Sequence, residues 1–269
     1  MKKTMKIKTA LVTGGAGNLG AAFCQIFARE GYRVGLIDVD TLRSQEVLEC
    51  LLNPELGHFE VSSLDISTMI GVKEVFRAIP SDSIIKVLVN NAAGNSSSYS
   101  KEDRIEERWD KTMNNDLKHV FLMSERAVVE MREHGGSIVN ISSIAGNLLG
   151  SKSLPYAAAK SAITGLTKSL ARIYGAHGIR VNAIIPGVIG NERTEAADVT
   201  GYFSSIKNQT PLKRWGKADE IAEAVLFIAS EKCEFLHGAS IVIDGGATLT
   251  LGPRIDEPIP FKWEAFSEV

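Results

Sequence analysis

Cysteine is scarce in this chain. Three cysteines, Cys24, Cys50 and Cys233, are scattered through 269 residues. No two have metal-ligand spacing, and an odd, dispersed set does not make a disulfide framework. They read as reduced thiols, which fits a cytoplasmic protein. The five histidines are equally dispersed, with no HExxH-like cluster, so no protein-bound metal is expected. Charge of one sign is also missing: acidic and basic residues nearly cancel, leaving a formal charge of −2. That argues against a nucleic-acid or anionic-membrane surface. No apolar run approaches the roughly 20 residues that span a bilayer. The start, MKKTMKIKTALVTGG, is basic and then apolar, but its apolar run is short and breaks into glycines with no cleavage-type site. A soluble, intracellular protein is expected.

What is present is a regular alternation. Short β-branched runs at 7–13, 33–38, 59–65, 86–91, 136–142, 180–185 and 239–244 read as strands. Their nearly continuous apolar character suits strands covered on both faces. Helical patterns fall between them at about 18–30, 41–52, 67–79, 103–133, 155–174 and 218–230. This βαβα order predicts an α/β fold, a doubly wound Rossmann-type parallel sheet of about seven strands with helices on both faces. No linker, repeat or low-complexity segment divides the chain. Residues 1–269 therefore read as a single dinucleotide-binding and catalytic domain. Residues 252–269 hold three of the eight prolines and read as an extended C-terminal tail.

The first strand runs into TGGAGNLG (13–20) and then a helix. Such a turn lets a dinucleotide pyrophosphate approach the backbone and the helix N-terminus. A tight structural turn also wants glycines. Asp38 ends the second strand. There a carboxylate accepts hydrogen bonds from ribose hydroxyls and repels a 2′-phosphate. With Val39 next and no Arg or Lys in the glycine turn, NAD is expected over NADP. The plainer reading is that Asp38 starts a turn.

TGGAGNLG, LD at 64–65, NNAAG at 90–94, NISS at 140–143, YAAAK at 156–160, RVNAIIPG at 180–187, PLKRWG at 211–216 and IDGG at 243–246 together resemble the short-chain dehydrogenases/reductases in their single-domain form. The resemblance covers nearly the whole chain, from Thr13 to Gly246. It implies that Tyr156 is the general acid/base exchanging a proton with the substrate oxygen. It implies that Lys160 lowers the phenol pKa and reaches the nicotinamide ribose, and that Ser143 hydrogen-bonds the substrate carbonyl or hydroxyl. The chemistry is coherent, because a free phenol is a poor base at neutral pH and a nearby ammonium favours phenolate. Positions i and i+4 share a helix face. Strand alternation sends Ser142 and Ser143 to opposite faces, so Ser142 is expected to be structural.

The resemblance also implies a cofactor set. Gly14, Gly17, Asn18, Leu19 and Gly20 form the turn, with Asp38 at the ribose, and Asp65 and Ile66 by the adenine. Asn91, Ala92 and Ala93 follow the fourth strand, Tyr156 and Lys160 join at the nicotinamide ribose, and Pro186 and Ile189 sit by the nicotinamide. Three departures stand out. Asn18 occupies a usual glycine position. NNAAG carries an extra alanine. Asp116 falls where the family has a helix-borne asparagine that holds a proton-relay water. Asp116 either keeps that relay or makes a structural salt bridge. Asn115 would need a local bulge to take its place.

The site chemistry predicts a small-molecule secondary alcohol or ketone as substrate. Its pocket is expected from 93–99, 144–155 and 188–210, the last as a lid. Glu192, Arg193 and Lys207 are candidates for a polar or anionic substrate group, and Asn191 or Thr194 for a contact to the carboxamide. The alternatives are a 3-oxoacyl carrier-protein reductase, a hydroxysteroid or aliphatic alcohol dehydrogenase, and a non-catalytic dinucleotide-binding redox sensor. The apolar surface of segment 103–133, including Trp109, Val120, Phe121, Met123, Val128 and Val129, together with the resemblance, predicts a homo-oligomer, a tetramer.

Overall fold

The structure is a computed structural model. It describes residues 6–94, 104–148, 151, 153–190, 198 and 201–250. Seven parallel strands form one sheet in the order β3-β2-β1-β4-β5-β6-β7. They are β1 (Ile7–Thr13), β2 (Arg33–Asp38), β3 (Phe59–Ser62), β4 (Ser83–Asn90), β5 (Gly136–Ile141), β6 (Ile179–Pro186) and β7 (Ser240–Ile243). Strand order reverses between β1 and β4, and the crevice at the carboxyl ends of such a switch point is where open α/β sheets bind ligands.

Alternation within β1 divides the core. Ala10 and Val12 pack with Phe23 and Phe27 of α1 (Asn18–Arg29) and with Ile221 and Val225 of the helix Ala218–Ala229. Leu11 faces the opposite layer. There it joins Val72 and Val75 of α3 (Met69–Arg77), Met123 and Met131 of α5 (His119–Met131), and Leu170 of α7 (Leu154–Tyr174). The remaining helices before α7 are α2 (Thr41–Glu49), α4 (Ile105–Met113) and the short α6 (Ile144–Asn147). A chain of buried amides and hydroxyls, Ser124–Asn90–Asn140–Thr167, crosses from α5 through β4 and β5 to α7 with bonds of 2.8–3.0 Å. Buried polar groups bonded in series fix the relative setting of the elements they join.

Three boundaries differ from the sequence expectation. β3 ends at Ser62 because Ser63 has a left-handed backbone (φ 60°), which breaks the strand. β4 begins at Ser83, three residues early, and pairs with β1 from there. The single helix expected over 103–133 is α4, then a π-turn at Asn114–Lys118, then α5. The apolar side chains of that segment divide: Val120, Met123 and Val128 are buried, whereas Trp109, Phe121 and Val129 are about half exposed. No described helix is long and apolar enough to cross a membrane.

Candidate active site

A groove of about 1180 Å³ opens at the switch point. Its near end is the glycine turn, where Gly14, Gly17, Asn18 and Leu19 line the wall. Gly14 has φ +66°, and a Cβ there would stand 2.8 Å from the Ala92 Cα. A Cβ on Gly20 would lie 1.9 Å from the Gly14 carbonyl oxygen, so α1 packs directly on the turn. Gly17 is the N-cap of α1 and no side chain caps its N–H groups. The helix therefore presents open donors and its positive dipole end to the groove.

The β1 and β4 walls are bonded to each other. The Thr13 hydroxyl accepts from the N–H groups of Asn91 (2.9 Å) and Ala92 (3.0 Å). The Asn91 amide donates to the carbonyls of Thr13 and Gly14, both at 3.0 Å. Asn91 lines the groove as expected, but its amide nitrogen holds the wall. Ala92 and Ala93 continue that wall.

Asp38 stands at the rim. Its carboxylate accepts from Ala16 N (2.9 Å) and Asp40 N (3.1 Å), so it both anchors the turn and retains free lone pairs toward the groove. The reading of Asp38 as a turn residue and as a ribose acceptor are thus compatible. Arg43, on α2, lines the same rim and was not anticipated. Asp65 and Ile66 line the far wall, and Asp65 also accepts from Ser67 N at 2.9 Å. Ile189 closes the opposite end, held by a parallel bridge to Gly216. Gly20, packed on Gly14, and Pro186, at the end of β6, do not line it.

Ser143, Tyr156 and Lys160 gather outside the lining of this groove, whose Gly94 bonds to Asp116. Ser143 ends the extended segment after β5 and caps α6, accepting from Ala145 N at 3.1 Å. α6 meets α7 at Gly146, where a Cβ would come within 2.6–2.8 Å of Ser161 N, Lys160 Cβ and the Ala157 carbonyl. That approach brings Ser143 to Tyr156, whose phenol feels the serine hydroxyl. Ser142 is structural, donating to the Lys160 carbonyl at 2.6 Å and accepting from Asn147. Lys160 is buried, donates to the Ile141 carbonyl at 3.1 Å, and holds its ammonium 5.8 Å from the Tyr156 ring centroid.

The electrostatics correct one expectation. Burial raises the Tyr156 phenol above its ordinary value, the Ser143 hydroxyl opposes the rise, and the Asp116 carboxylate adds to it. The expected net lowering is not the result here, because burial is the largest influence on the phenol. Lys160 is itself lowered by burial and supported by Asp116. Asp116 lies inside the π-turn, the kind of local bulge anticipated for Asn115, and its Oδ1 accepts from Gly94 N at 2.8 Å. Burial raises its carboxyl, against the pull of Lys160 and the Gly94 N–H. The π-turn also sets Asn114, Asn115 and His119 in the groove lining, which no sequence signal indicated.

Of the expected lid, Glu192 and Arg193 lie outside the described residues, as do Asn191, Thr194, residues 95–99 and the tail 252–269. Lys207, on the helix Tyr202–Gln209, has its ammonium 4.8 Å from the Trp215 ring centroid.

The matching family model, described as enoyl-(acyl carrier protein) reductase, covers residues 14–248. The chain belongs to the short-chain dehydrogenases/reductases. A probable galactose dehydrogenase of Rhizobium meliloti is 36% identical, over 90% of this chain and 95% of its own. A 3-oxoacyl-[acyl-carrier-protein] reductase of Thermotoga maritima is 34% identical, over 90% and 98%. The solved structure of a putative gluconate dehydrogenase from Agrobacterium tumefaciens has a TM-score of 0.79 at 28% identity, covering 91% of this chain and 97% of that one. This protein is an oxidoreductase acting on CH–OH groups, and its family implies a nicotinamide dinucleotide cofactor. The open α1 N-terminus, the glycine cradle and the rim carboxylate fit such a group.

Proposed function

We propose that the protein is an NAD-preferring dehydrogenase of polar, sugar-like secondary alcohols, working as a single domain. The observation that carries this reading is the gathering of Ser143 and Tyr156 at the α6–α7 contact, with the Lys160 ammonium 5.8 Å from the same ring. The α1 N-terminus and Gly14 would hold the pyrophosphate, and Asp38 the adenosine ribose. Asp65, Ile66, Asn91, Ala92 and Ala93 would flank the adenosine half, and Pro186 and Ile189 the nicotinamide. When bound, the nicotinamide accepts or supplies the hydride. Ser143 Oγ would orient the substrate oxygen. Tyr156 Oη would take the hydroxyl proton in oxidation and return it in reduction. Lys160 stabilises the phenolate while that proton is away.

The substrate lean rests on the galactose and gluconate dehydrogenases among the relatives. Half-exposed Trp109, Phe121 and Val129, with exposed Ile173 on α7, support a homotetramer packed through α4, α5 and α7. We also place the protein in the cytoplasm, where its three free thiols would stay reduced.

A second reading is supported by Arg43. Its guanidinium at the Asp38 rim suits a 2′-phosphate, and hence an NADPH-linked 3-oxoacyl reductase like the Thermotoga relative. Titration with NADH and NADPH, followed by nicotinamide fluorescence, separates the two. Tighter NADH, followed by NAD-linked oxidation of aldoses or alditols, supports the first reading. Tighter NADPH, with reduction of 3-oxoacyl thioesters, replaces it with the second.

A further inference from the structure

Two buried, incompletely satisfied charged groups stand on elements that pack against each other, Asp116 on the π-turn and Lys160 on α7. Asp116 is fully buried, and its Oδ2 has no hydrogen-bond partner. Lys160 is 3% exposed, and of its three N–H bonds only one is engaged, at the Ile141 carbonyl. Two further titratable groups face the pair: Tyr156 on α7 feels the carboxylate, and His119 on α5 feels the ammonium.

We propose that Asp116 and Lys160 form a buried charge-compensated couple, in which the Asp116 carboxylate keeps Lys160 cationic. The couple, and not the lysine alone, then sets the ionisation of Tyr156. This rests on the reading of Tyr156 and Lys160 as the acid/base pair. An isolated buried ammonium with a single hydrogen bond would shed its proton. The open carboxylate oxygen supplies the missing counter-charge. An asparagine at 116 would accept from Gly94 N equally well. It would then turn an amide donor, with no charge, toward a group that is itself only a donor. The carboxylate is therefore chosen for its charge and not for the turn it holds. Asp116 acts through Lys160 and is a positioning residue.

The test uses the full chain with no substrate or cofactor. Lysine Nζ resonances of 15N-labelled protein are followed against pH, with Lys160→Arg assigning the signal. In Asp116→Asn, which keeps the Gly94 contact, the Lys160 midpoint should fall by about one unit or more, and Asp116→Glu should restore part of it. Reciprocally, the carboxyl 13C midpoint of Asp116 should rise by a similar amount in Lys160→Met, and this second reading stands if Asp116→Asn does not fold. Unmoved midpoints would overturn the couple. Failure to bind NADH or NADPH would instead remove the oxidoreductase assignment of the residues, and leaves these midpoints informative.

Discussion

His119 should make the protein acid-sensitive by a calculable amount. Its imidazole is 1% exposed, neither ring nitrogen has a partner, and burial with the Lys160 charge lowers its pKa from 6.5 to about 3. The folded state thus keeps it neutral while the unfolded chain protonates it. The unfolded state binds more protons as pH falls, so stability declines from about pH 6.5 down toward the folded value. Between pH 7 and pH 5 the loss depends almost wholly on the unfolded pKa, because the folded one lies far below. It comes to about 2 kcal/mol. Comparison with His119→Asn cancels the contributions of all other groups. Urea denaturation of both proteins at pH 7 and pH 5, at one protein concentration, measures the difference. The wild type should lose about 2 kcal/mol more than the variant. Equal losses would show that His119 is solvated or protonated in the folded state, and the argument from burial would fail.

Other outcomes follow from the same geometry. Tyr156→Phe should cut turnover by about 10²–10⁴ in an NAD-linked assay while leaving NADH fluorescence titration nearly unchanged. Gly20→Ala drives a Cβ to 1.9 Å from the Gly14 carbonyl, so it should cost about 1–3 kcal/mol and remove dinucleotide binding, read by thermal melting and titration. Arg180 donates to five carbonyls at the end of the helix Ala218–Ala229 and beyond, those of Ile228, Ala229, Ser230, Cys233 and Leu236. Arg180→Met should lower stability by about 3 kcal/mol in urea titrations, with dinucleotide affinity retained in the folded fraction.

The sheet was largely legible because buried parallel strands write themselves as apolar runs. β1 and β2 fall at the expected limits for that reason. The end of β3 was not, since nothing about a serine announces the left-handed backbone of Ser63. The π-turn was equally silent: one extra residue in a helix leaves composition and charge unchanged, yet it puts His119 and Asn115 in the groove. Ser143, Tyr156 and Lys160 come together as the motif spacing implied, through a contact at Gly146 that only the packing reveals. The Tyr156 environment needed the fold, because its charged neighbour Asp116 lies forty residues earlier in the chain. Arg43 lies outside the glycine turn and is not the residue after Asp38, the two places where a basic side chain would mark a 2′-phosphate site. A helical turn later, it still reaches the rim.

The Thr13–Asn91 clamp has a consequence for how this crevice can change. Its two walls hold each other through four hydrogen bonds that involve no ligand. The width of the slot is thus inherited from the sheet. A mutation that alters the clamp risks the fold itself, whereas the rim at Asp38 and Arg43 can vary without touching it. Adaptation to a different dinucleotide is therefore confined to the edge of the slot, and a thicker ring system cannot be accommodated by gradual widening. The width of the crevice is a constant of the architecture, and its lip is where selection can act.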